Sequence, residues 1–181
     1  MKTLLATVLL GIGLANEAFG QAMSNPSTIP PKTQVAVIEF TPGPNASGMT
    51  PESKRQLQAS IAFRLMETKK FKVVDIQNTR RTSQADLVAI NGGSTAAAVR
   101  VGKQLRVSYV LTGTVEEYNT QGSAILKTRL VEVGTGKVKR ADELSHQSTK
   151  EMRTGGDVEM KTFVLLPIIL KLAETLATEA L

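Results

Sequence analysis

The 181-residue chain has no cysteine, no tryptophan and a single histidine, His146. Without cysteine there can be no disulfide framework, no Cys-ligated metal and no acylated cysteine behind a leader. One histidine and no thiolate also leave a transition-metal site short of its usual ligands. His146 falls in a polar run, with no serine–histidine–aspartate arrangement traceable through it, and reads as a surface side chain. Aromatic residues make up 4% of the chain, and no aromatic run offers a stacking platform for bases. Long apolar runs are missing as well. The two longest, Leu4 to Ala15 and Phe163 to Leu170, both fall short of the roughly 20 residues a membrane-spanning helix needs.

The first of these runs has the grammar of a leader. Lys2 supplies positive charge before it, and the small residues Ala18 and Gly20 follow it. Residues 1–20 are therefore expected to be a signal peptide cut before Gln21, against the competing reading of an uncleaved anchor. Residues 21–33, with Pro26, Pro30 and Pro31 among serine, asparagine and threonine, read as a disordered tether. Residues 34–181 are long enough for one domain with its own core. An exported domain that uses no disulfides fits a bacterial envelope. The expected location is the periplasm or cell envelope, without lipidation and with peripheral membrane association at most.

The formal net charge is +6, with both signs spread along the chain. Lys69, Lys70, Lys72, Arg80 and Arg81 form one basic stretch, and Lys137, Lys139 and Arg140 another. Export argues against nucleic acid as a partner. The first stretch is a candidate patch for an anionic partner, weighed against a merely solvated surface.

Hydrophobic periodicity orders the domain. Val35 to Phe40 is apolar almost throughout, as in a strand covered on both faces. Thr50 and Pro51 are a good cap and first residue for a helix carrying Leu57, Ile61 and Leu65 on one face. Phe71 to Ile76 reads as a strand. Ser83 opens a helix closed by Asn91-Gly92-Gly93, and a second helix spans Thr95 to Leu105. Val107 to Glu116, Ala124 to Val133 and Lys137 to about Gln147 read as strands of a meander, with Lys127 and Arg129 on the outer face. A final helix presents Ile169, Leu172, Ala173, Leu176 and Ala180 on one side, and Pro167 kinks it or lies in its first turn. The order β-α-β-α-α-β-β-β-α predicts an α/β fold, a mixed sheet with helices packed on it. The run Phe163 to Leu170 is expected to dock on that sheet.

The stretch Gly43 to Thr50, GPNASGMT, has two glycines five apart and a closing threonine, the frame of a phosphate-binding loop. Met49 stands where such a loop needs lysine, and Pro44 and Pro51 remove backbone donors. It is expected to be a connecting loop in which Gly43, Pro44 and Gly48 make the turn. Glu39 at a strand's carboxyl end and the pair Glu116 and Glu117 could serve acid–base chemistry, or could be solvated strand ends. Asn91 to Ser94 could take an anion, although helix punctuation accounts for it.

Taken in order, VAVIEF, FKVVD, VGKQLRVSYVLTGTV and RLVEVGTGKV resemble the curli-secretion channel (CsgG) family, the amino-terminal domain of TolB and the outer-membrane activators of penicillin-binding proteins. The resemblance runs from about Gln34 to Gln147. It implies a periplasmic domain, similar to an anticodon-binding fold, that works through protein–protein contact. The chain departs from that pattern in having no cysteine to acylate and no strands patterned to span a membrane. The expectation is an exported, non-enzymatic binding or assembly module of the CsgG-like class, acting in envelope or secretion-complex biogenesis. Its expected partners are envelope proteins or further copies of itself, with no cofactor. The alternatives are a subunit of an outer-membrane secretion pore and a phosphoester or nucleotide enzyme with a degenerate loop.

Overall fold

The computed structural model describes residues 32–178. The expected leader, most of the tether and Ala180 lie outside the described residues. The strands are β1 (Thr33–Val37), β2 (Thr41–Asn45), β3 (Phe71–Val73), β4 (Tyr109–Asn119), β5 (Ser123–Glu132) and β6 (Val138–Gln147). The helices are α1 (Pro51–Glu67), α2 (Ile76–Arg80), α3 (Gln84–Asn91), α4 (Thr95–Leu105), α5 (Asp157–Met160) and α6 (Leu166–Thr178), with a π-helical turn at Lys161–Leu165.

All six strands form one mixed sheet in the order β3-β1-β4-β5-β6, with β2 also pairing β4. β1 lies parallel to β3 and β4, and β4, β5 and β6 form an antiparallel meander. Alternation along the strands builds two cores. Val35, Val37, Tyr109, Leu111, Leu126 and Leu130 pack with α1 and α6. Ala36, Ile38, Val110 and Val131 pack with Ile90, Ala98 and Val101 of α3 and α4. The apolar run at β1 is thus buried on both faces, as its unbroken pattern implied.

Two elements correct the sequence-based order. Thr41–Asn45 is a strand, not part of a loop. It continues β1 along β4, and between Val37 and Thr41 four steps on this chain answer three on β4. The extra residue bends the strand at Ile38–Phe40, as a bulge does. Pro42 and Pro44, at alternate positions, withdraw donors from the same side of β2, which suits its free edge. Gly43 and Pro44 therefore belong to a strand, and the turn begins only at Ala46. The second correction is Ile76, which starts α2 and does not end β3. Asp75 caps that helix through the Gln77 amide at 2.8 Å, a local signal that overrides the apolar pattern.

The carboxyl-terminal run docks as expected. Val164, Leu165, Ile168, Ile169, Leu172 and Leu176 are buried against the α1 side of the sheet. Pro167 cannot donate a helical hydrogen bond, and the π turn directly before it accommodates the ring and the lost bond. Lys70 donates from Nζ to the Ala177 carbonyl, placing a cation at the negative end of α6.

Close approach fixes Gly113 in β4. A Cβ there would lie 2.1 Å from the Lys127 carbonyl oxygen and 2.7 Å from Cε1 of Phe40. Backbone cannot yield as a flexible side chain can, so Gly113→Ala should cost about 3 kcal/mol of stability. Gly134→Ala, where a Cβ meets nothing within 4 Å, should be close to neutral. Denaturant unfolding of the two variants checks the contrast.

Candidate functional site

Three surface regions carry the residues singled out by sequence. The first is a cleft of about 320 Å³ at the carboxyl end of β1, where the bend opens the sheet edge. Glu39, Thr41, Lys54, Gln58, Arg80 and Asn91 are among its lining residues. The bend places Glu39 beside Lys54, with Nζ 3.9 Å from Oε1. Gln58, on the buried side of α1, donates from Nε2 to the Val37 carbonyl at 2.8 Å and to Thr79 Oγ1 at 3.2 Å. Its Oε1 accepts from Arg80 Nη2 at 3.3 Å. The cleft is polar, and four of these groups hold one another, an ammonium beside a carboxylate and an amide bonded to a guanidinium, while Thr41 Oγ1 is buried without a hydrogen-bond partner among the described residues. Gln58 was not marked by sequence, because it stands on a face otherwise read as apolar.

The second region is the start of α1. Thr50 caps the helix, accepting from the Ser53 amide at 3.0 Å. Ser53 Oγ donates to Asp157 Oδ1 at 2.8 Å, and Thr50 Oγ1 donates to Asp157 Oδ2 at 3.3 Å. The Asp157 carboxylate, at the start of α5, thus sits at the positive end of α1. An incoming phosphate would meet a carboxylate there. Met49, in the lysine position of a phosphate loop, is buried in the core. Tyr118 lies beside this junction. Burial raises its phenol above the ordinary range, the charge of Asp157 adds to the rise, and a hydrogen bond with Ser53 opposes it. Further along the entry to α5, Glu159 Oε2 accepts from the Thr154 and Gly155 amides at 2.8 and 2.9 Å. The Thr154 backbone bond leads in holding this carboxyl below its usual value, against an opposing effect of burial, with the Thr154 hydroxyl and the Gly155 amide adding to the lowering.

The third region is an apolar groove of about 410 Å³ between α1 and α6, lined among others by Ala59, Phe63, Leu166 and Ile169. Phe63 is 53% exposed. Met66 and Leu170, each about one turn further along its helix, are exposed as well. Gln56, Arg64 and Lys161 rim the groove. Sequence reading placed Leu170 in a docking run and left Phe63 unremarked. The i, i+4 spacing of Leu57, Ile61 and Leu65 along α1 would have shown Phe63 off the buried face.

Other residues marked by sequence have local partners. Glu116 accepts from Thr114 Oγ1 at 2.6 Å and lies 3.9 Å from Lys127 Nζ. Glu117 accepts from Ser123 Oγ. A bulge between Val115 and Glu117 separates the two carboxylates' surroundings, and they do not form a pair. His146 is half-buried in β6, opposite Ala124. Arg129, expected on an outer face, reaches back over the sheet, donating to the carbonyls of Gly93 and Ile90 at 2.9 and 3.2 Å. It closes the carboxyl end of α3 at Gly93, whose φ of 95° is glycine territory. Lys69, Lys70 and Lys72 lie at the start of β3, near the end of α6, whereas Arg80 and Arg81 end α2, with Arg80 in the cleft. Among the described residues no group of three or more His, Asp or Glu could hold a metal ion, and no helix is long and apolar enough to cross a membrane.

No protein-family model and no curated protein sequence matches the chain. Solved structures do share its fold. CT253, a hypothetical protein of Chlamydia trachomatis, aligns with a TM-score of 0.56 at 12% identity, over 82% of this chain and 100% of that one. The lipoprotein GNA1162 of Neisseria meningitidis aligns at 0.52 and 17% identity, over 82% and 99%. PelC of Paraburkholderia phytofirmans, a dodecamer, aligns at 0.50 and 17%, over 78% and 88%. At such identities the likeness is one of fold.

Met49 gives the sharpest test of the loop. Met49→Lys should lower stability by about 3 kcal/mol or more, because an unpaired ammonium enters the core. It should create no affinity for ATP. Thermal melts and calorimetric titration check both, and ATP binding by the unaltered protein would contradict the structural reading of the loop.

Proposed function

We propose that the chain is a non-catalytic protein-binding module of the cell envelope, of the CsgG-like class its sequence resembles. In this reading it works in the assembly of an envelope or secretion complex, on the periplasmic side, and associates with membranes only peripherally. The groove between α1 and α6 carries the proposal. An exposed phenylalanine flanked by further exposed apolar side chains, within a polar rim, is the pattern of a protein contact. Glu39 with Lys54, Gln58 with Arg80, and the groups of the capped helix are engaged with one another, which favours a scaffold over a reaction centre. The fold shared with a lipoprotein and with the subunit of a dodecamer is in keeping with envelope assembly. Lys69, Lys70 and Lys72 beside β3, and Arg80 and Arg81 at the end of α2, offer an anionic partner basic charge at two places, with a reach limited to about 10 Å at 0.1 M salt by screening.

Phe63 and Leu170 should be the anchors. Phe63→Glu with Leu170→Glu should weaken capture of the partner from envelope extract by at least roughly 30-fold, about 2 kcal/mol. Val88→Glu, at a site on α3 that is also exposed, should leave capture unchanged, and all variants should melt like the unaltered protein. Equal capture by the groove variant would overturn the assignment.

A further inference from the structure

Among the described residues β6 ends the sheet and pairs on one side only, with β5. It is ten residues long and contains no proline, unlike the five-residue edge strand β2. A strand of this kind offers a row of backbone donors and acceptors to another strand. Its sequence around the middle is Val138-Lys139-Arg140-Ala141-Asp142-Glu143-Leu144. Two positive charges, a small residue and two negative charges stand in order, between two apolar residues. Read against its own reverse, the charged stretch Lys139 to Glu143 is complementary, with Val138 set apart by a bulge.

We propose that β6 is a self-association edge, pairing antiparallel with β6 of a second copy about a twofold axis at Ala141. In that register Lys139 faces Glu143 of the other copy and Arg140 faces Asp142, while Val138 lies beyond a bulge that sets it opposite Val131 and takes no part. Each relation occurs twice by symmetry. The faces agree too: directly opposed residues in an antiparallel pair share a face, and from Arg140 to Gln147 the strand alternates without interruption against β5. Lys139, Ala141 and Glu143 are exposed on one face, while Arg140, Asp142 and Leu144 turn towards the other. Neighbouring registers fail on charge. A shift of one pairing step puts Asp142 against Asp142 or Arg140 against Arg140 at the axis, and like charges directly opposite are unfavourable. The charge order thus selects both the partner, which must carry the same segment, and the register.

The existing ion pairs do not oppose this arrangement. Arg140 Nε lies 2.6 Å from Asp142 Oδ2, and Lys127 Nζ lies 3.6 Å from Glu143 Oε2. They hold these side chains in place along the edge. Both carboxylates have further acceptor sites for a cation from the second copy. The inference goes beyond the groove reading and stands without it, because β6 and the α1–α6 groove are different surfaces.

Charge reversal tests it. Lys139→Glu with Arg140→Glu makes the segment wholly negative, and Asp142→Lys with Glu143→Lys makes it wholly positive. By sedimentation velocity the unaltered protein should dimerise with rising concentration, less so with rising salt. Each double variant alone should associate at least tenfold more weakly. Mixed in equal amounts, the two variants should form a heterodimer, and the fourfold variant carrying all the reversals should regain self-association. The groove variant Phe63→Glu should dimerise normally. Thermal melts show that each variant is folded. A protein that stays monomeric up to about 1 mM, variants that associate as well as the original, or a mixture that stays monomeric would each overturn the proposal.

Discussion

The fold depends on β4 being paired on both edges and packed on both faces at once. Its first half lies beside β1 and its second half beside β2, while β5 runs the whole length of the other edge. Tyr109, Leu111 and Val115 belong to one core and Val110 to the other. Side chains of both layers therefore meet through this strand, and Gly113 marks the point where even a methyl group has no room. Every other element takes its place from β4. The long parallel neighbour has to bend to follow it, that bend opens the cleft, and the antiparallel side leads outward to β6.

Much of this was legible because period and punctuation agree. The apolar run at β1, the Thr50-Pro51 helix start, the Ser83 cap and the Asn91-Gly92-Gly93 stop each state a single local preference, and the structure follows them. The misreadings occur where two signals compete. The stretch Thr41–Asn45 is rich in proline and glycine, which is turn chemistry, yet one edge of β4 was left without a partner and a strand of donor-poor residues fills it. At Ile76 an apolar residue continued a strand pattern, but Asp75 capped a helix there. Arg129 looked like a solvated side chain because sequence cannot show that a carbonyl-rich helix end lies within its reach.

The candidate sites divide in the same way. Residues that resembled chemistry in the sequence turn out to hold the structure. Met49 fills the core, Thr50 caps α1, and Glu39 leans on Lys54. What is left open are surfaces: the apolar seam between α1 and α6, and the outer edge of β6. Neither has a motif. Phe63 is a single residue out of phase with its helix, and the β6 pattern is ordinary charge until it is read against its own reverse. Both are visible only once the topology shows which face and which edge lack a neighbour.

The central claim is that partners meet the α1–α6 seam rather than the cleft. Site-specific photocrosslinking in living cells tests it directly, with the reactive group at position 63 in the groove or at position 84, which lines the cleft. A discrete adduct with an envelope protein from position 63, and none from position 84, is the predicted result. A discrete adduct from position 84 with none from position 63 would contradict the account.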